Sequence, residues 1–393
     1  MIFPRKIDKE LKKQLNSKEI IILTGMRRTG KTITMNSLFD AVPGKNKIFL
    51  DLENPLNRKI FEETNYDNIW KNLANFGISN KEKSYIFLDE IQRARQIPSA
   101  VKYLHDHFDV KFFLTGSSSY YLKNLFSESL AGRKIIFELF PLDFEEYLIF
   151  QEKPKRFFAD FREKEKQKNE VAFNIYEKYY DDYLEYGGFP KVVLEKNINQ
   201  KKKLLNDVFA SYFEQDVKTL ADFKNIDKLR DLIILLSARA GSKIEITKLS
   251  AELGVSRETI YNYLSFLENT YFIFLVKPFS RNTDREISGA RKVYFCDTGI
   301  LNIMEKISSG AIFENAVFKS LKNYGKINYY QRRSGVEIDF ILNKKIGFEA
   351  KNQGGSFDFK KLDKLSKSIV LEEDYVISKK YSKDRGVILA MDI

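Results

Sequence analysis

The sequence predicts an α/β protein of several domains that opens with a parallel sheet. Three observations carry this. The chain has 393 residues, more than one core of roughly 100–200 residues accommodates. Hydrophobic residues make up 43% and aromatics 14%, against only 19 Gly and 8 Pro, which excludes disordered, collagen-like and linker-rich chains. Five short apolar runs (20–23, 47–52, 85–88, 111–114 and 135–139) alternate with helix-like stretches. Such runs bounded by turns read as strands buried on both faces, and their alternation with helices implies a parallel sheet.

The first run leads into a glycine-bounded loop: the segment 25–32 reads GMRRTGKT and matches G-x-x-x-x-G-K-[ST] between a strand and a helical stretch. Gly25 and Gly30 let backbone N–H groups turn inward around phosphates, with Arg28 and Thr29 in the same loop. Lys31 reaches the β- and γ-phosphates, Thr32 ligates Mg²⁺, and the helix N-terminus adds its dipole. The run at 85–88 ends in Asp89 and Glu90, suited to the Mg²⁺ shell and to polarising an attacking water. The run at 111–114 ends in hydroxyls, of which Thr115 and Ser117 are both candidates to contact the γ-phosphate or the water. Arg133, just before the last strand, has the place of a cation that reaches a neighbouring subunit's phosphate. ATP and Mg²⁺ are the expected cofactors.

Together GMRRTGKT, YIFLDE, FFLTGSSS, SLAGR with ELFPLDFEEYL, and YGGFP resemble a family of prokaryotic AAA-type ATPases whose C-terminal part is a domain of unknown function. The resemblance implies an AAA-like core at 1–140, a helical lid at 141–222, a finger role for Arg133 and a homo-oligomer, in ring form. Within the lid, the mixed-sign stretch 151–170 reads as a solvated helix or exposed connector.

Residues 244–276 carry two short helical patterns around Gly254, with Ser256 as N-cap and an apolar run at 271–276 for a wing,. This predicts a winged helix-turn-helix over 223–280, with Arg257 and Tyr261 facing DNA. Further on, Glu314 lies on a helical pattern, Asp339 on a strand, and Glu349-Ala-Lys351 on a second strand after a turn at 343–345. Such a hairpin brings Asp339 and Glu349 to one end, where with Glu314 they hold a metal and Lys351 orients or deprotonates water. The set resembles the PD-(D/E)xK nuclease core, with Glu337-Ile in place of proline before Asp339, and implies a restriction-endonuclease-like α/β domain over 281–393.

Charge points the same way. Lys+Arg 66 against Asp+Glu 54 gives +12, and residues 281–393 hold half of that excess. Arg332 and Arg333 would track a phosphate backbone, with Tyr329 and Tyr330 offering stacking faces. The single cysteine, Cys296, excludes a disulfide framework or a cysteine zinc site, and the two histidines, His105 and His107, read as packing or surface residues,. No stretch approaches the ~18 apolar residues of a membrane span, and a cytoplasmic location is expected. The expected function is an ATP-driven DNA-remodelling motor with Mg²⁺-dependent endonuclease activity on branched or junction DNA. The alternative is a nucleotide switch whose C-terminal domains only bind DNA or protein.

Overall fold

The computed structural model describes residues 3–94, 96–116, 130, 132–154, 158–218, 225–280, 282–304 and 307–393. The chain forms two compact units, the first comprising residues 1–140 with 212–222 and 269–271, the second the remainder.

The first unit is built on strands β1 (Ile20–Thr24), β2 (Lys47–Asp51), β3 (Ser84–Asp89), β4 (Val110–Gly116) and β5 (Lys134–Glu138). Every pairing is parallel and the spatial order is β2-β3-β4-β1-β5. The five apolar runs are these five strands. β1, β3 and β4 are buried throughout, which explains why they read as continuous apolar runs rather than alternating ones. Alternate residues serve two cores. Ile20, Ile22, Ile86, Leu88, Phe112 and Leu114 face the helix Ile97–His107 through Val101 and Leu104. Ile21, Leu23, Phe87 and Phe113 face Met35 and Leu38 of the helix Lys31–Ala41. Burying each such side chain is worth about 1.5–3 kcal/mol, and because the strands run parallel the loops after β1, β3 and β4 all leave from one sheet edge. In open parallel sheets that C-terminal edge is where ligands bind.

In the second unit, helices Phe144–Phe150, Phe161–Lys166, Glu170–Tyr186 and Ile198–Ser211 come first. The charged stretch is not simply solvated: Phe161 is buried, its ring 5.0 Å from both Phe348 and Tyr324. Phe161 is masked in the sequence by the charges around it. The Gly187-Gly188 pair also has a cause. Asp297, fully buried, accepts from Gly188 N (2.8 Å), Gly299 N (2.9 Å) and Lys319 Nζ (3.1 Å). A Cβ on Gly187, at φ 72°, would stand 1.7 Å from that carboxylate.

Helices Ile246–Leu253 and Arg257–Asn269 flank Gly254, which is left-handed at φ 65°. Ser256 Oγ accepts from Thr259 N at 3.1 Å. An antiparallel hairpin follows, β6 (Ile273–Val276) with β7 (Lys292–Phe295). The C-terminal sheet contains β8 (Ile327–Gln331), β9 (Glu337–Leu342), β10 (Ile346–Lys351), β11 (Glu373–Ser378) and β12 (Val387–Leu389), in the order β12-β11-β10-β9-β8. β8, β9 and β10 are antiparallel neighbours, and β11 and β12 continue in parallel. The β9–β10 turn uses two left-handed residues, Asn343 and Lys344, of the kind tight hairpins demand. Helices Ser309–Lys322 and Ser356–Ser368 accompany this sheet.

Candidate functional site: a P-loop and a lysine-filled acidic centre

The loop after β1 is shaped by close approach. Gly25 has φ 145°, and a Cβ there would lie 2.1 Å from the Leu139 carbonyl oxygen. Gly30 (φ 100°) and Arg28 (φ 64°) are also left-handed. Thr29 is buried, and its hydroxyl donates to Met26 O at 2.8 Å, tying the loop to itself. Arg5 braces the loop from outside the motif, donating to Thr29 O and Phe140 O, each at 2.9 Å.

Lys31, at the start of the helix Lys31–Ala41, is buried. Its ammonium donates to Gly25 O (2.8 Å) and Met26 O (3.0 Å), and burial pulls it below the usual lysine range. Phosphate oxygens are acceptors for the same hydrogens. Thr32 Oγ1 donates to Asp89 Oδ2 at 2.7 Å, and Thr115 donates to Asp89 Oδ1. Burial pushes the Asp89 carboxyl up, opposed by those two hydroxyls. A hydroxyl and a carboxylate oxygen in contact are hard oxygen donors of the kind Mg²⁺ takes, so Thr32 and Asp89 fit that ion. Glu90 is left-handed (φ 55°); its N–H donates to Asp89 Oδ1 (3.1 Å) and Thr115 Oγ1 (3.3 Å), and Gln92 donates to its carboxylate. Glu90, Asp89, Thr115, Thr32 and Lys31 therefore converge at one edge of the sheet. Ser117 lies outside the described residues.

Arg133 is elsewhere. Its carbonyl accepts from Ile20 N at 2.7 Å, which places it where β1 begins, at the sheet edge opposite the loop. Its guanidinium pairs with Asp106 at 2.9 and 3.3 Å, holding that carboxyl below its usual range. Within its own chain Arg133 is no part of the nucleotide site.

In the second unit the hairpin does bring Asp339, Glu349 and Lys351 together. Lys351 Nζ lies 2.8 Å from Glu349 Oε1, and Asp339 Oδ2 accepts from Ala350 N at 2.8 Å. Burial raises the Asp339 carboxyl well above its ordinary value, and the nearby charges of Glu349 and Glu314 push it the same way. Among the described residues no group of three or more His, Cys, Asp or Glu, Glu314, Asp339 and Glu349 included, is arranged to hold a metal ion. A lysine stands there instead. Lys292, on β7 and 4% exposed, lies 3.3 Å from Glu337 Oε2 and 3.7 Å from Glu314 Oε1. Burial opposes its charge, yet Glu314, Asp339 and Glu337 hold the ammonium above the usual range. Burial also raises Glu314, which accepts from Tyr294 Oη at 2.7 Å. Asn315 fixes this meeting, its side chain bonding Phe295 N (2.7 Å) and Phe295 O (3.1 Å) and so pinning β7 to the Glu314 helix.

Of the residues assigned to DNA, Arg257, Tyr261, Arg332 and Arg333 are exposed, with Arg332 bonded to Ser368 Oγ at 2.6 Å. Tyr329 is not available for stacking: it is buried, its hydroxyl on Ala290 O, and Tyr330 packs edge-on against Phe279. His105 and His107 are held by backbone carbonyls of Lys18 and Tyr103. Sequence reasoning missed Arg5, Lys292 and Asp216, which pairs with Arg27 of the loop. For Lys292 a signal existed, a lysine opening an otherwise apolar strand,.

The parallel sheet, its phosphate loop and the Asp89–Glu90 edge define a P-loop AAA-type ATPase domain. An AAA domain model matches residues 17–148; models described only as domains of unknown function match 177–311 and 309–389. The uncharacterized protein MJ1544 of Methanocaldococcus jannaschii is 31% identical over 348 residues, 86% of this chain and 75% of its own length. The chain belongs to the family of that protein. An uncharacterized protein of Haemophilus influenzae is 26% identical over 339 residues, 83% of this chain and 80% of its own. Among solved structures, the Aeropyrum pernix ORC2 protein in its ADP form aligns with TM-score 0.39 at 12% identity, over 70% of this chain and 87% of that one. No helix among the described residues is long and apolar enough to cross a membrane.

Proposed function

We propose that the chain is a nucleotide-driven switch or motor that hydrolyses ATP at the P-loop and engages DNA through exposed cations of its C-terminal half. The observation that carries this is the convergence of Lys31, Thr32, Asp89, Thr115 and Glu90 at one sheet edge. Lys31 binds and orients the β- and γ-phosphates by exchanging loop carbonyls for phosphate oxygens. Thr32 and Asp89 hold Mg²⁺, which supplies charge neutralisation on the phosphate oxygens when bound. Glu90, fixed through its own N–H, orients and deprotonates the attacking water. ATP turnover by wild type, Lys31→Ala and Glu90→Gln, with and without DNA, tests the reading; equal turnover in all three would refute it. Stimulation by DNA that Arg332→Ala and Arg333→Ala reduce supports the DNA partner. A homo-oligomeric ring in which Arg133 reaches a neighbour's phosphates requires release from Asp106, so Arg133→Ala would lower turnover while leaving nucleotide affinity intact.

The meeting of Asp339, Glu349 and Lys351 supports a second, competing reading, phosphodiester cleavage with a divalent cation, which requires Lys292 to give up Glu314 and Glu337. Cleavage of labelled linear or branched DNA, lost in Glu349→Ala while ATPase persists, would establish it.

A further inference from the structure

One buried pair at the nucleotide site has no part in the chemistry above. Arg27, inside the phosphate loop, donates from Nε to Asp216 Oδ1 at 3.1 Å. The Asp216 side chain is 2% exposed and that of Arg27 15%. Asp216 arrives from far along the sequence, on the stretch Tyr212–Val217, which winds as a π-helix. Such widened turns are rare and concentrate at functional sites. The stretch joins a second returning segment of the same unit: Tyr212 Oη bonds Thr270 Oγ1 at 2.7 Å, and Tyr271 Oη donates to Glu138 at 2.9 Å.

The electrostatics around this pair depend on what the loop holds. Asp216 lies within range of Lys31, Arg27 and Glu90. A triphosphate cradled by the same loop brings several negative charges beside a carboxylate that has little water to screen it. It also presents Arg27 with better acceptors, since guanidinium–phosphate pairing is bidentate.

We propose that Asp216 is a nucleotide-sensing residue that holds Arg27 against the Tyr212–Val217 turn until a nucleoside triphosphate enters the loop, whereupon Arg27 transfers to the phosphates and the turn is released. This rests on the P-loop reading above and names the regulation of that site. Burial pushes the Asp216 carboxyl up to about 6, which agrees with a charge kept in place mainly by its arginine. Residues 212–218 and 269–271 each lie in sequence between parts of the second unit, so a released turn acts directly on the chain that enters and leaves it.

Fluorescent ATP and ADP analogues titrated into the full-length chain test this. Asp216→Asn should bind the triphosphate about tenfold more tightly, with a smaller change for the diphosphate, and Arg27→Ala about tenfold more weakly. In the Arg27→Ala background the Asp216→Asn effect should shrink below about threefold. Asp216→Glu, which keeps the charge, should resemble wild type. Melting temperatures of all variants serve as the folding control, and the Arg27→Ala background separates release of Arg27 from simple relief of repulsion between Asp216 and the phosphates, which would persist without Arg27. Weaker or unchanged triphosphate binding in a folded Asp216→Asn, or the same effect with and without Arg27, overturns the proposal. If wild type binds nucleotide no better than Lys31→Ala, the P-loop reading fails, and the sensor falls with it.

Discussion

The P-loop edge and the Asp339 centre are made of the same residue types, lysines and acids, yet they differ in who neutralises whom. At the loop, Lys31 donates to backbone carbonyls while Asp89 is held by two neutral hydroxyls. Cation and anion there are each left to act on an incoming ligand. At the second centre, Lys292 and Lys351 already stand against Glu314, Glu337 and Glu349. A buried carboxylate cluster needs positive charge, and here the chain supplies it from β7. The first arrangement is built to take up a phosphate and its metal; the second is largely satisfied from within.

Each half of this contrast can be broken separately. The largest effect is expected at the loop: Lys31→Ala should lower ATP turnover by at least about 10³-fold and abolish nucleotide binding, and Glu90→Gln should lower turnover by about 10²–10³-fold while binding survives, both read by coupled assay and fluorescence titration. Next comes Lys292→Met, which strands buried acids and should cost about 3 kcal/mol or more by urea denaturation. Adding Glu314→Gln should recover part of that loss.

Two smaller effects report on the regions individually. Lys111 on β4 donates to Ser17 Oγ at 2.8 Å, and burial lowers its ammonium to about 8 from about 10.5. Because the folded state gives up this proton at lower pH, the unfolded chain holds more protons between those values and stability rises with pH across them. Wild type should therefore gain stability relative to Lys111→Met between pH 7.5 and about 10 in paired melts. Cys296, buried at the end of β7 with its thiol pushed up by burial, should label with a thiol reagent only on unfolding, and faster in Lys292→Met,.

Much of the nucleotide site was legible because its chemistry is local. Gly25–Thr32 and Asp89–Glu90 are contiguous segments, and buried strands announce themselves as apolar runs. The hairpin turn at Asn343 and the Gly254 turn were legible for the same reason. What stayed hidden depends on distant partners. Asp216 looks like any polar residue in a helical stretch until the chain returns to the loop. Lys292 gains its meaning only when Asn315 pins β7 to the helix of Glu314. Tyr329 looked like a stacking face, and only the folded sheet shows its hydroxyl turned inward onto Ala290. Phe161 sat among charges that masked its role as a core residue.

The contrast between a site open to phosphate and metal and one closed by its own lysines is tested most directly by Mn²⁺ titration followed by electron paramagnetic resonance, with and without a non-hydrolysable ATP analogue. One Mn²⁺ per chain should bind only when the analogue is present, lost in Thr32→Ala and unaffected by Asp339→Asn. Tight Mn²⁺ binding without nucleotide, abolished by Asp339→Asn, would contradict it.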